Sequence, residues 1–102
     1  MAETANWTGH IFEVHPANTR WGDVAGIYIF CATNELGEWF PLYVGQTDSF
    51  RTRFADHEKW PAAVRMGATH IHLMVAGHEP KRMVLERRLI EKLRPPLNDQ
   101  LR

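Results

Sequence analysis

The chain has 102 residues, of which 44% are hydrophobic and 24% charged, and its formal net charge is zero. This length and composition predict one small globular domain and exclude a wholly disordered chain. The charges are unevenly placed: residues 1–50 carry one basic and six acidic side chains, whereas residues 51–102 carry eleven basic and six acidic ones. A basic face attracts phosphate backbones, but two sets of surface charges that pair with each other explain the asymmetry equally simply. Charge alone favours this second explanation.

Several kinds of protein are excluded by the residues that the sequence lacks. A single cysteine, Cys31, cannot form an internal disulfide and fits a reducing cytosol. No apolar run approaches the roughly 20 residues that are needed to span a bilayer. Residues 1–9 contain neither a basic leader nor an apolar stretch, so the sequence predicts no secretion signal. We therefore expect a cytoplasmic protein that does not interact with membranes.

The first half of the chain reads mainly as strands. We expect residues 1–9 to be a loose terminus and residues 10–15 a short strand. Residues 26–32 (GIYIFCA) and 39–46 (WFPLYVGQ) are rich in β-branched and aromatic side chains, which is typical of strands. The intervening Asn34-Glu35-Leu36-Gly37 favours a type I turn.

This turn predicts how the two strands of the hairpin pair. With Glu35 and Leu36 at its centre, Tyr28 lies opposite Tyr43, and a bulge would shift the register by a residue or two. Pro41 indicates an edge strand or a bulge, because proline cannot donate a hydrogen bond to a neighbouring strand.

The second half predicts helices around a third strand. Asp48 or Ser49 can cap a helix that ends at Trp60-Pro61, because the residue before a proline disfavours the helical conformation. Phe50, Arg53, Phe54 and His57 have the i, i+3, i+4, i+7 spacing that places them on one face of this helix. We expect a short helix over 61–66, a strand over 68–76 and a last helix from Pro80 to about Arg94, which Pro95-Pro96 ends.

The last predicted helix contains a glutamate in an apolar position. At roughly 100° per residue, Glu86 falls near the middle of an apolar arc that also contains Leu89, Ile90 and Leu93. A buried carboxylate is costly unless it is paired or binds a metal. Each such polar residue has an ordinary structural explanation when it is considered singly. For Glu86 that explanation is an ion pair with Arg82 or Arg53.

Taken together, the unusual polar residues resemble the GIY-YIG nuclease family. The family signature appears in order as Gly26-Ile27-Tyr28, then Tyr43-Val44-Gly45, then Arg53 with His57 four residues later, then Glu86 in a helix and Asn98 after it. The resemblance covers residues 26–98. It implies a single domain over residues 1–102 with residues 1–25 as an N-terminal extension. The fold class is then α/β, in the α+β sense, with a central antiparallel sheet of three or more strands flanked by helices.

The resemblance also implies an activity and its residues. It implies a metal-dependent endonuclease that hydrolyses phosphodiester bonds in DNA, with Mg²⁺ or Mn²⁺ held by Glu86 and no small-molecule cofactor. Arg53 would bind a phosphate oxygen, and Tyr28 would be the general base. Tyr43 would orient water or a phosphate.

The resemblance implies less specific roles for the two remaining residues. His57 would hydrogen-bond a phenol or take up a proton. Asn98 would fix the end of the last helix or contact substrate.

Two other classes of function remain open from the sequence. One is a catalytically silent nucleic-acid-binding module, and the other is a structural or protein-interaction domain in which Glu86 forms an ion pair.

Some conspicuous side chains receive ordinary structural roles. His70 and His72 lack a third ligand for a metal, so we expect them to line a polar surface or the substrate groove. We expect Cys31 to be a small core residue. Candidate contacts to a nucleic-acid backbone are the basic side chains Arg51, Lys59, Lys81, Arg82, Arg87 and Arg88.

Overall fold

The computed structural model describes residues 3–98, which form a five-stranded antiparallel sheet with helices packed on it. The spatial order of the strands is β1-β2-β5-β3-β4. The strands are β1 Thr4–Trp7, β2 His10–Pro16, β3 Gly26–Thr33, β4 Trp39–Thr47 and β5 His70–Val75. The helices are α1 Phe50–Ala55, α2 Trp60–Arg65 and α3 Glu79–Leu93, followed by a 3₁₀ turn at Pro96–Asn98. The predicted fold class is confirmed.

None of the helices in the described part of the chain is long and apolar enough to cross a membrane.

The N-terminal residues belong to the sheet, so the predicted loose terminus is wrong for residues 4–7. Strand β1 pairs with β2 through a two-residue turn at Thr8 and Gly9, both of which have positive φ. Such a turn matches the twist of a hairpin, and Gly9 adopts this conformation without strain. The indole Nε1 of Trp7 donates a 2.9 Å hydrogen bond to Nδ1 of His72 in β5, which anchors the hairpin to the sheet.

The register of the β3–β4 hairpin differs from the simplest prediction by two residues. The amide of Gly37 donates to the carbonyl of Asn34, as in a type I turn, but Gly37 has a φ of 79° and the next strand pair begins at Asn34 and Glu38. This adds one residue to the loop, and a bulge between Phe30 and Cys31 adds another. Tyr28 therefore lies opposite Gly45 instead of Tyr43. Strand β4 is an edge strand, as Pro41 indicates.

The first helix is shorter than predicted. Helix α1 is capped by the Ser49 side chain but ends at Ala55, because Asp56 leaves the helical region with φ −156° and ψ 81°. Trp60-Pro61 opens helix α2 instead of ending α1, which agrees with the tolerance of proline in the first turn of a helix. His57 consequently lies in the loop between the two helices and is not on α1.

Strand β3 is buried on both faces. Tyr28, Phe30 and Ala32 point to the side that Phe50 and Ala63 of the first two helices cover. The intervening Ile27, Ile29 and Cys31 point to the side that α3 covers through Leu89 and its neighbours. The expectation that Cys31 is a core residue is confirmed. The first part of the family signature, Gly26-Ile27-Tyr28, thus lies on a strand whose position is determined from both sides.

Arg82 is a structural residue and not an exposed contact to nucleic acid, so that prediction is wrong. Its side chain is 1% exposed. The guanidinium donates to Oε1 of Gln46 at 2.7 Å, to the carbonyl of Ala76 at 3.0 Å and to Oδ1 of Asp48 at 2.7 Å. These bonds join the first turns of α3 to the ends of β4 and β5, which fixes the position of the helix that carries Glu86.

We expect Arg82→Ala to lower the free energy of unfolding by about 2–4 kcal/mol, because it removes the three hydrogen bonds of a buried guanidinium and opens a cavity. The exposed Arg88 on the same helix is the matched control, and Arg88→Ala should change stability by less than about 0.5 kcal/mol. Urea denaturation of both variants measures the difference. Equal free energies of unfolding in the two variants would show that the hydrogen bonds of Arg82 make no net contribution to stability.

Candidate active site

The two signature tyrosines meet although they are not paired across the strands. Tyr28 is 1% exposed and Tyr43 is half-buried, and their ring centroids are 6.3 Å apart. The expectation that the phenols stay close is confirmed. Gly45, which lies opposite Tyr28, makes this possible, because a Cβ at that position would overlap the Tyr28 ring and hydroxyl. The glycine of the second signature therefore accommodates the first tyrosine.

His57 forms a hydrogen bond with the Tyr28 hydroxyl in which the role of each atom can be assigned. Its Nε2 lies 2.7 Å from the phenol oxygen, and its Nδ1 accepts the backbone N–H of Lys59 at 3.0 Å. A neutral imidazole carries one proton, so that proton is on Nε2 and is donated to Tyr28. Burial, followed by the charge of Arg53, lowers the pKa of His57 to about 4, so the ring is neutral at physiological pH.

Arg53 acts electrostatically on both phenols from helix α1. Burial raises the pKa of Tyr28 strongly, and the charge of Tyr43 adds to this effect, whereas Arg53 opposes it. Burial likewise raises the pKa of Tyr43, again against the charge of Arg53. The guanidinium side chain is 28% exposed, and its Nη2 lies 2.8 Å from Oε2 of Glu58. A partly open cation beside two phenols is suited to binding an anion.

Glu86 has no ion-pair or hydrogen-bond partner among residues 3–98. The two predicted partners are engaged elsewhere, since Arg82 binds Asp48 and Arg53 binds Glu58. Burial raises the pKa of the Glu86 carboxyl, and the charges of Arg82 and Arg87 only partly offset this. The charge of Glu86 in turn raises the pKa of Tyr43, which places the carboxylate within electrostatic reach of this phenol.

The described residues contain no cluster of three or more histidine, cysteine, aspartate or glutamate side chains that could enclose a metal ion. A half-buried carboxylate without a protein partner nevertheless suits Mg²⁺, which keeps several water ligands and needs few from the protein. Glu86 therefore fits as a single protein ligand. The same donor set would not suit a structural zinc site, which needs four nitrogen or sulfur ligands.

Asn98 binds the backbone of the strand that carries Tyr43. Its Oδ1 accepts the amide of Val44 at 2.8 Å, and its Nδ2 donates to the carbonyl of Val44 at 2.9 Å. Because β4 is an edge strand, the carboxamide satisfies groups that would otherwise face outwards, much as a further strand would. Asn98 thus fixes β4 directly beside Tyr43.

The fold and the sequence resemble known nuclease domains. The GIY-YIG N-terminal endonuclease domain of UvrC from Thermotoga maritima, as a tyrosine-to-phenylalanine mutant bound to its catalytic divalent cation, is 26% identical, with a TM-score of 0.59 over 74% of this chain and 83% of that domain. The same domain bound to magnesium has a TM-score of 0.58 at 24% identity, over 74% of this chain and 84% of that domain.

The chain has the fold of a GIY-YIG domain.

A curated relative agrees with this assignment. Excinuclease cho from Salmonella typhi is 33% identical over 79 residues, which make up 76% of this chain but 26% of that protein. The chain thus spans about a quarter of the length of this relative. No family model matches the sequence.

All six predicted site residues of this domain lie in or next to one region. The aromatic rings of Tyr28, Tyr43 and His57 contact one another, with centroids 5.3–6.3 Å apart. Arg53 acts on both phenols and Glu86 acts on Tyr43 through their charges, and Asn98 holds the strand behind Tyr43. Sequence reasoning missed Glu58 and the amide of Lys59. Both lie in the loop after α1, where no helical spacing could indicate them.

His72 does not line a groove in this domain, so that prediction is wrong. It is fully buried between Trp7 and Trp39, with a centroid distance of 4.5 Å to the Trp39 ring. Its Nδ1 accepts the indole proton of Trp7, and its Nε2 has no hydrogen-bond partner among the described residues. Burial lowers its pKa to about 4. His70 remains half-buried, next to the hydroxyl of Thr69.

The two buried histidines predict a loss of stability in mild acid. Both His57 and His72 have a folded-state pKa of about 4, below their ordinary value of 6.5. The unfolded chain therefore binds more protons between these values, and the free energy of unfolding falls as the pH is lowered from 6.5 towards 4. Each histidine contributes at most about 1.4 kcal/mol per pH unit.

Chemical denaturation at several pH values between about 5 and 7.5 measures this slope. We expect His72→Gln, which keeps an acceptor for Trp7, to reduce the slope, and His57→Gln to do the same. The exposed His10, replaced by glutamine, is the control. If neither His72→Gln nor His57→Gln changes the dependence of the unfolding free energy on pH, the lowered pKa of these two histidines is contradicted.

Proposed function

We propose that this domain is a metal-dependent endonuclease that hydrolyses phosphodiester bonds in DNA, with Mg²⁺ or Mn²⁺ held by Glu86. The observation that carries the proposal is the Glu86 carboxylate, which is half-buried, has no partner among the described residues and acts through its charge on Tyr43, a phenol that the partly exposed Arg53 also influences. Partial burial of a carboxylate lowers the stability of the fold unless a cation or a hydrogen-bond donor offsets the loss of hydration. A bound metal ion would supply that cation. The similarity to the metal-bound UvrC domain and to excinuclease cho supports the same activity.

A divalent metal at Glu86 would supply Lewis-acid stabilisation of the negative charge that develops on the phosphate and the leaving oxygen. Arg53 would bind a non-bridging phosphate oxygen. Its planar guanidinium can donate two parallel hydrogen bonds, which a lysine cannot do. The exposure of the Arg53 side chain, 28%, leaves room for such a contact.

Tyr28 is the proposed general base, and the protonation state of His57 determines how it could act. Because His57 donates its Nε2–H to the Tyr28 oxygen, it stabilises the phenolate form and does not compete for the same proton. The charge of Arg53 favours the phenolate as well. Proton uptake by His57 would require the loss of its bond to the Lys59 amide, so of its two predicted roles we propose the hydrogen bond to a phenol.

Tyr43 and Asn98 take supporting roles in this proposal. Tyr43 is more exposed than Tyr28, so its hydroxyl can orient an incoming water or phosphate. Asn98 keeps β4 in place through its two bonds to Val44 and thereby positions Tyr43. We also propose DNA as the nucleic-acid partner. A cytoplasmic location remains a prediction.

A cleavage panel tests the proposal. Labelled duplex, branched and single-stranded DNA and single-stranded RNA are incubated with the protein in Mg²⁺, in Mn²⁺ and in excess EDTA. We expect cleavage of at least one DNA form in either metal and none in EDTA. Arg53→Ala, purified identically, controls for a contaminating nuclease. Equal cleavage in EDTA, or equal cleavage by the variant, would contradict the proposed function.

A further inference from the structure

Glu58 occupies the guanidinium that the proposed function assigns to phosphate. Its Oε2 lies 2.8 Å from Nη2 of Arg53, and its side chain is 64% exposed. It belongs to the loop between α1 and α2, next to His57. Arg53 is the only residue among the described ones with which it forms an ion pair. The bond to Arg53 lowers the pKa of Glu58 to about 2, so this carboxylate is charged at every physiological pH.

A carboxylate and a phosphodiester compete for the same donor. Both present pairs of oxygens to the fork of a guanidinium, and both bear a negative charge. A phosphate oxygen that binds Nη2 of Arg53 must therefore displace Glu58 or share the donor with it. In either case the charge of Glu58 repels the incoming anion.

The loop allows the side chain to leave without a rearrangement of the site. The ring of His57 is 5% exposed and is held by Tyr28 and by the amide of Lys59, so the backbone on both sides of Glu58 is anchored. The Glu58 carboxylate itself lies in solvent, and water can solvate it once it is released. Only a side-chain rotation is required.

We propose that Glu58 is a displaceable anionic gate, a residue that occupies Arg53 until a phosphodiester replaces it and that weakens the binding of phosphate at this site. This inference rests on the proposed function of Arg53. It assigns Glu58 a role in substrate selection, because only anions that bind Arg53 more strongly than the carboxylate does can enter. A purely structural Glu58, which holds Arg53 in a productive position, would have the opposite effect on binding.

Binding measurements in a double-mutant cycle separate these roles. Fluorescein-labelled single-stranded and duplex oligonucleotides are titrated with wild type, Glu58→Gln, Arg53→Gln and the double variant, with Ca²⁺ in place of Mg²⁺ to prevent turnover. We expect Glu58→Gln to tighten binding about two- to fivefold, the range expected for release of one exposed ion pair. In the Arg53→Gln background, Glu58→Gln should change the affinity only as much as the removal of any other nearby negative charge does.

Asp56 is the matched control for charge, because it is an exposed acid in the same loop. If Asp56→Asn tightens binding as much as Glu58→Gln does, or if Glu58→Gln acts equally in both Arg53 backgrounds, the gate is refuted. Weaker binding by Glu58→Gln would refute it as well and would make Glu58 a positioning residue. If Arg53→Gln binds like wild type, the assigned role of Arg53 in the proposed function fails independently of Glu58.

A second measurement does not depend on DNA. The Arg53 Nε–H signal is followed by NMR as inorganic phosphate is added to wild type and to Glu58→Gln. We expect the signal to saturate at a lower phosphate concentration in the variant. Identical titrations would overturn the proposal.

Discussion

Replacement of Glu86 by glutamine is expected to abolish metal-dependent cleavage while the domain stays folded and still binds DNA. The amide keeps the shape of the side chain but loses the charge that holds a hard cation. Loss of the charge stabilisation that a metal supplies, several kcal/mol, corresponds to a decrease of roughly 10³-fold or more in single-turnover rate. Wild-type activity in this variant would show that Glu86 is not the metal ligand.

Stability provides an independent test of the same residue. Because burial raises the pKa of Glu86, the folded state disfavours its charged form, and this residue lowers the free energy of unfolding at pH values above its folded pKa. Glu86→Gln should therefore be at least as stable as wild type near neutral pH. Added Mg²⁺ should raise the melting temperature of wild type but not of the variant, since only wild type binds the metal in the folded state. If Mg²⁺ raises the melting temperature of Glu86→Gln as much as that of wild type, the metal binds at a site other than Glu86.

The two tyrosines are expected to differ in their contribution to the cleavage step. Tyr28→Phe should reduce single-turnover cleavage by roughly 10²–10⁴-fold, the usual range for loss of a general base. Tyr43→Phe should reduce it only roughly 2- to 10-fold, because a neutral orienting hydrogen bond is worth about 0.5–1.5 kcal/mol. A larger loss for Tyr43→Phe would exchange the two roles. No loss in either variant would remove the phenols from the mechanism.

The structure requires one control for Tyr28→Phe. Removal of the hydroxyl leaves the buried Nε2–H of His57 without its acceptor, which should cost about 1–3 kcal/mol of stability. Rates are therefore compared at a temperature where circular dichroism shows every variant to be folded and where DNA binding matches wild type. His57→Gln completes the comparison. A loss in His57→Gln as large as that in Tyr28→Phe would show that Tyr28 functions only together with the hydrogen bond from His57.

Local sequence patterns determined most of the secondary structure. Residues rich in β-branched and aromatic side chains formed β3 and β4, and proline and glycine marked the ends of α3 and the hairpin turn. The boundary of α1 was wrong because Pro61 is compatible both with the end of one helix and with the start of the next. Strand β1 was missed because its four residues (TANW) have no distinct alternation, and its place in the sheet depends on pairing with β2 and on the bond from Trp7 to His72.

The sequence by itself determined which chemical groups the site contains. The order and spacing of Tyr28, Tyr43, Arg53 and Glu86 indicated the family, and the polar position of Glu86 within an apolar stripe was visible from helical periodicity alone. Periodicity can do this because it depends only on the geometry of a single element.

Only the tertiary structure decided which groups pair. Arg82 and Glu86 lie four residues apart on one helix, yet Arg82 makes three hydrogen bonds at the ends of β4 and β5 whereas Glu86 has no partner among the described residues. His57 reaches Tyr28 from a loop, and Glu58 reaches Arg53 from the same loop. Partners of this kind lie on different elements, and their distances depend on how the chain reverses at Asp56 and how the helices pack on the sheet. No local spacing encodes those distances.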